Sequence, residues 1–130
     1  MKRLSYVRAE RAYGAAAQLD PSAGVVHNNL GVIHLNRREW SEAERELREE
    51  IRLNPRYDKA HYNLGLVLRA TGRTEEAVRA WTETIELDPD NIDALGELMV
   101  YYETTGGLDR AKHFRTLLEQ HGLRFLDSSP

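Results

Sequence analysis

The sequence predicts an all-α solenoid of stacked helix pairs, and three observations lead there. The segment HNNLGVIHLN (27–36) recurs as HYNLGLVLRA (61–70) at an offset of thirty-four residues. The same offset aligns Pro21 with Pro55 and Pro89, Leu19 with Leu53 and Leu87, and Ala9 with Ala43, Ala77 and Ala111. Within a period, apolar residues recur three and four apart, the spacing of one helical face. So regular an interval in a chain of 130 residues marks units that cannot bury their own apolar faces and must stack.

Taken in order, residues 1–21 read as the second helix of an incomplete first unit, with Tyr6, Ala9, Tyr13, Ala16 and Pro21 in register. Residues 22–57 form the first full unit. Its first helix carries HNNLGVIHLN, and its second carries SEAERELREEIR (41–52), where Glu and Arg three or four apart support a solvated face. Residues 58–91 form the next unit, with Leu64 and Leu68 on its first helix and Ala77, Trp81 and Ile85 on its second. A divergent unit follows over 92–122, with Met99 in the place of Gly31 and Gly65, and residues 123–130 are a tail.

The turns inside units are marked by ATGRT (70–74) and TTGGL (104–108), where Gly72 and Gly106 can take the left-handed conformation that ends a helix. Proline in LNP and LDP stops each second helix. Gly31 and Gly65 lie within helices, where glycine costs about 0.8–1.0 kcal/mol relative to alanine. Close approach of Ala43 and Ala77 is expected to offset that cost, with Trp40, Leu47, Trp81 and Phe114 filling the wider gaps. Two residues depart from the register. Arg38 stands where Gly72 and Gly106 stand, so that turn is expected to be strained or reshaped with help from Asn36. Glu50 stands in the place of Ala16, and if buried it needs a basic partner.

These residues resemble the tetratricopeptide repeat pattern: Leu-Gly, a tyrosine, alanine, an aromatic, alanine and proline over thirty-four residues. HYNLGLVLRATGRTEEAVRAWTETIELDP (61–89) follows it nearly throughout, and residues 27–55 follow it well. The resemblance covers residues 5 to 122 and implies a right-handed superhelix of about three full repeats preceded by a half repeat. It also implies a role as a protein-interaction module or scaffold that holds a peptide or partner helix in a concave groove lined by the first helices. The register assigns Val25, Asn28, Asn29, Val32 and Leu35 to that face in the first full unit. The next two contribute Lys59, Tyr62, Asn63, Leu66 and Arg69, then Asp93, Gly96, Glu97, Val100 and Glu103.

Asn29 and Asn63 occupy equivalent places. An amide there offers a donor and an acceptor to a peptide backbone, as in the asparagine ladder of some family members; the same residue also belongs to the ordinary repeat consensus. A basic clamp for an acidic tail is disfavoured, because Asp93, Glu97 and Glu103 would repel one. The acidic end favours instead a ligand with Lys or Arg beside an apolar stretch.

The net charge of −3 provides no basic field for nucleic acid. No run approaches the roughly 20 apolar residues that cross a bilayer, and no secretory signal is visible, so the cytosol is the default compartment. With no cysteine there is neither a disulfide nor thiolate chemistry. His27, His34 and His61 fall at packing places and make no zinc signature, so neither a metal nor another cofactor is expected. Nothing forms a nucleophile with its base, paired carboxylates or a phosphate loop, and no catalysis is expected. The alternatives are a targeting segment of a larger enzyme or assembly, and a self-associating structural subunit. Leu4 and Val7 at one end, with Leu123, Phe125 and Leu126 at the other, are the candidates for joining copies.

Overall fold

Apolar residues spaced three and four apart fold as helices joined by short turns. The computed structural model describes residues 24–123; the half unit and Leu4, Val7, Phe125 and Leu126 lie outside them. Six helices follow in order: α1 (Val26–Asn36), α2 (Trp40–Leu53), α3 (Asp58–Ala70), α4 (Thr74–Leu87), α5 (Ile92–Thr105) and α6 (Leu108–Gln120). There is no strand among the described residues. The helices pack most extensively as the pairs α1–α2, α3–α4 and α5–α6, and then across pairs through α2–α3 and α4–α5. Contact between α1 and α3 brings first helices side by side, which creates an inner surface. This is the all-α helix-pair solenoid that the periodicity predicts.

The core runs without a break through the middle pair. Leu64, Val67, Leu68, Ala77 and Trp81 meet Ala43 and Leu47 on one side and Ala94 and Leu98 on the other. Small residues stand where helices approach most closely: Ala43 and Ala77, like Ala60 and Ala94, are thirty-four apart and fully buried.

The space beside the helical glycines is filled by different residues from those expected. A Cβ on Gly31 would lie 2.6 Å from Leu47 Cγ, and one on Gly65 would lie 2.6 Å from Trp81 Cδ1. Leu47 and Trp81 therefore lie across the glycines, and Ala43 offers Gly31 only its carbonyl, at 3.5 Å. The divergent unit reverses this arrangement. Met99 supplies the bulk from the first helix, packing with Leu95 and Leu118, while Arg115 takes the place of Trp81.

The turn at Arg38 keeps its shape. Arg38 has φ +61°, in the same left-handed region as Gly72 at +81° and Gly106 at +86°. Its backbone bonds also match: Arg38 N to Leu35 O at 3.0 Å and Glu39 N to His34 O at 2.9 Å parallel Gly72 N to Arg69 O at 3.0 Å and Arg73 N to Leu68 O at 2.8 Å. Asn36 takes no part in those bonds.

Glu50 is fully buried, but its donors are amides and no base is seen among the described residues. Its carboxylate accepts from the backbone N–H of Asn28 at 2.9 Å and from Asn54 Nδ2. The Asn28 N–H belongs to the first turn of α1, which lacks intrahelical acceptors, so the acid caps the positive end of a helix. In the next unit Thr84 holds the equivalent position and donates to Ala80 O at 2.8 Å.

Candidate functional site

The first helices α1, α3 and α5 carry the residues of the inner face, and the turn between α4 and α5 closes one end of it. A cavity of about 520 Å³ opens there. Asn28, Asn29 and Val32 come from α1, Lys59, Tyr62 and Asn63 from α3, and Asp93 from the first turn of α5, all as the register predicts. Tyr57, Asp58, Asp88, Asp90, Asn91 and Ile92 complete the lining. These six were not among the predicted site residues. The sequence signal was LDPDN (87–91), which reads as a stop for one helix and a start for the next.

Amides hold the wall of the cavity. Asn63 Nδ2 donates to Asn28 Oδ1 at 3.0 Å, tying α3 to α1. Asn28 is only 5% exposed, and its backbone N–H is held by Glu50. Across the cavity Asn91 Nδ2 donates to Asp58 Oδ2 at 2.9 Å, while Asn91 Oδ1 caps α5 by accepting from Ala94 N at 3.1 Å. Asn63 thus spends a donor within the protein, and Asn29, half-buried, lines the cavity beside it.

Farther along the face the expected acidic end is balanced by bases. Arg69 pairs with Glu97 and lies 5.2 Å from the centre of the Trp81 ring. Glu103 pairs with Arg115 at 3.4 Å. The repulsive row assigned to Asp93, Glu97 and Glu103 is therefore reduced to Asp93, and the acidity moves to the α4–α5 turn. Two further positions stand apart from the cavity: Leu66 packs against the core, and Val100 is 51% exposed. Burial pushes the Tyr62 hydroxyl above its ordinary value, and the nearby Glu97 and Asp93 charges add to the shift while Arg69 opposes them.

The histidines are engaged singly. His27 Nδ1 meets Glu46 at 2.7 Å, His34 Nδ1 meets Glu39 at 2.9 Å, and His61 Nε2 meets Pro55 O at 2.9 Å. His121 meets Asp90 at 3.2 Å. No three His, Asp or Glu side chains converge as a metal set among the described residues. No described helix is long and apolar enough to cross a membrane. A second cavity, about 560 Å³, lies at the Leu53–Tyr57 turn against Gly24, where the described chain begins. It is mostly apolar and lacks the converging amides and acids of the inner face.

Residues 29–92 match the family model described as Tetratricopeptide repeat. No curated protein sequence matches the chain. Among solved structures, O-GlcNAc transferase from Thermobaculum terrenum is similar at 31% identity and a TM-score of 0.70. That likeness covers 75% of this chain and 19% of the transferase, so the chain spans about a fifth of it. A MamA protein is similar at 28% identity over 94% of this chain and 70% of its own, with a TM-score of 0.75. MamA from Desulfovibrio magneticus RS-1 shares the fold at 22% identity and a TM-score of 0.75, covering 91% of this chain and 67% of its own. The repeated helix pairs, the left-handed turns and the family match agree, and the chain belongs to the tetratricopeptide repeat family.

Proposed function

We propose that this chain is a protein-interaction module that holds an extended peptide or a partner helix along the inner face of α1, α3 and α5. The observation that carries the reading is the cavity on that face, where Asn28, Asn29, Tyr62 and Asn63 converge from two adjacent first helices. A surface of amides and a phenol offers hydrogen bonds to a peptide backbone without demanding one sequence. Leu66, Arg69, Glu97, Val100 and Glu103 continue the same face beyond the cavity, where two ion pairs alternate with exposed Val100. The test is binding of peptides selected from a random library to the native protein, to Tyr62→Ala and to Asn63→Ala. Loss of binding in both variants, with helicity unchanged, is expected; undiminished binding would place the partner elsewhere.

A second reading is self-association, favoured by Leu108 at 67% exposure and Leu123 at 40%, which lie at the same end of the array. It is checked by the solution mass across a concentration range. The likeness to part of a transferase supports a third context, a repeat segment that serves a larger enzyme.

A further inference from the structure

We infer that the cavity beside the α4–α5 turn is a pocket for a basic side chain, so that the peptide on the inner face presents Lys or Arg there next to an apolar residue. The inference rests on the groove reading above and adds the chemistry of the occupant.

Four aspartates and one lysine line the cavity. They differ in how far they are already satisfied. Asp58 accepts from the Asn91 amide at 2.9 Å, and Asp90 lies 3.2 Å from His121. Asp88 accepts only a backbone N–H, that of Asp90 at 3.1 Å, and Asp93 is exposed in the first turn of α5. The bases farther along the face, Arg69 and Arg115, are engaged by Glu97 and Glu103, which leaves Lys59 as the lining's own cation. Its flexible ammonium is exposed and can swing aside. A cation entering the cavity gains attraction from several carboxylates at once, whereas an acidic ligand is repelled.

A second, independent feature points to a ligand. Asn28 is 95% buried and lines the cavity, its Oδ1 is taken by Asn63, and its Nδ2 has no hydrogen-bond partner among the described residues. A donor fixed in that way asks for an acceptor, and a peptide carbonyl supplies one. Val32 and the 42% exposed Ile92 add an apolar wall beside the acids. A backbone carbonyl on Asn28, an apolar side chain on Val32 and Ile92 and a basic side chain among the aspartates describe one short peptide stretch.

The experiment selects peptides from a phage-displayed random library on the full chain, then measures the best of them by fluorescence anisotropy. Lys or Arg next to an apolar residue is expected in the selected peptides. Binding is expected to weaken roughly tenfold in the Asp90→Asn, Asp93→Asn double variant, as several partly exposed charges together would give, and to weaken with added salt. Asp93→Asn alone, at an exposed position, keeps the test open if the double variant unfolds; a smaller loss in the same direction is expected. Peptides lost in Tyr62→Ala but carrying no basic residue and indifferent to the aspartate variants would overturn this inference and leave the groove reading standing. Peptides indifferent to Tyr62→Ala, or no selected peptide at all, would overturn both.

Discussion

The indole of Trp81 lies across Gly65, so close that a single added methyl on the glycine would stand 2.6 Å from the ring carbon Cδ1. Trp81 is 1% exposed and its Nε1 donates to Tyr62 O at 3.3 Å, so the ring is fixed by packing and by a hydrogen bond. The helical penalty of Gly65 is thereby offset by burial of the largest side chain in the core.

This relationship makes two glycines within helices respond in opposite ways to alanine. At Gly65 the better helix propensity of alanine gains about 0.8–1.0 kcal/mol, but so close a clash with a rigid ring puts overpacking at the upper end of its range, about 2–3 kcal/mol, so Gly65→Ala is expected to lose roughly 1–2 kcal/mol. Among the described residues nothing lies within 4 Å of a Cβ on Gly96, in the middle of α5, so Gly96→Ala is expected to gain about 0.8–1.0 kcal/mol. Urea denaturation of both variants checks the pair, and destabilisation by Gly96→Ala would show that space in α5 is tighter than the structure has it.

Arg38→Gly is expected to stabilise. The left-handed conformation costs a residue with a side chain about 1–2 kcal/mol, and the extra freedom of glycine in the unfolded chain returns about 0.5–1 kcal/mol of that. A net gain of roughly 0.5–1 kcal/mol should appear as a higher thermal midpoint, whereas a lower midpoint would show that contacts of the Arg38 side chain outweigh the strain.

Glu50→Ala is expected to destabilise by roughly 2–3 kcal/mol, because it leaves the buried Asn28 N–H without its acceptor and the Asn54 amide with Gly24 O alone. Glu50→Gln keeps one acceptor oxygen and should lose distinctly less. Equal losses in the two variants, measured by denaturant titration, would mean that the charge of the carboxylate carries the effect, and neither its volume nor a single acceptor oxygen.

The Arg73 guanidinium bonds the Glu44 carboxylate, with Nη1 to Oε2 at 3.1 Å, and holds it below its ordinary value of 4.5. The unfolded chain then takes up this proton more readily than the folded one. The stabilisation is present in full above the ordinary carboxylate value and is lost as pH falls through the folded one. Arg73→Gln should therefore narrow its stability gap to the native protein as pH is lowered from neutrality into the acid range. A gap that stays constant with pH would assign the difference to packing.

The helix pairs were legible in the sequence because packing positions must recur wherever the same unit is built again. Ala43 and Ala77, or Leu64 and Leu98, meet the same neighbours in successive units, so their spacing states the fold directly. The inner face followed from the same register, which is why Asn28, Tyr62 and Asn63 were found before the cavity that they line. Charge balance was not legible. Arg69 and Glu97 are twenty-eight residues apart, off the repeat interval, and they meet only because adjacent first helices bring them together. The acids of the cavity were hidden for another reason: Asp88 and Asp90 sit in a turn whose residue types are already accounted for by helix termination. Trp81 was placed in the gap between helices, but its seat on Gly65 depends on side-chain direction, which spacing alone does not give.

The order of contacts along the array has a kinetic meaning. Apart from the contact of α1 with α3, the principal packing joins helices that follow one another in the chain, so closing each contact spans a short loop and folding can spread from one pair to the next. The same chain-neighbour logic governs opening. In α4 Ala77, Ala80, Trp81 and Thr84 are buried, whereas α6 buries only Ala111 and Leu118. Amide protons of α6 should consequently exchange with solvent ahead of those in α4, and the array should come apart as a zipper does, from its lightly held end toward the tryptophan at its centre.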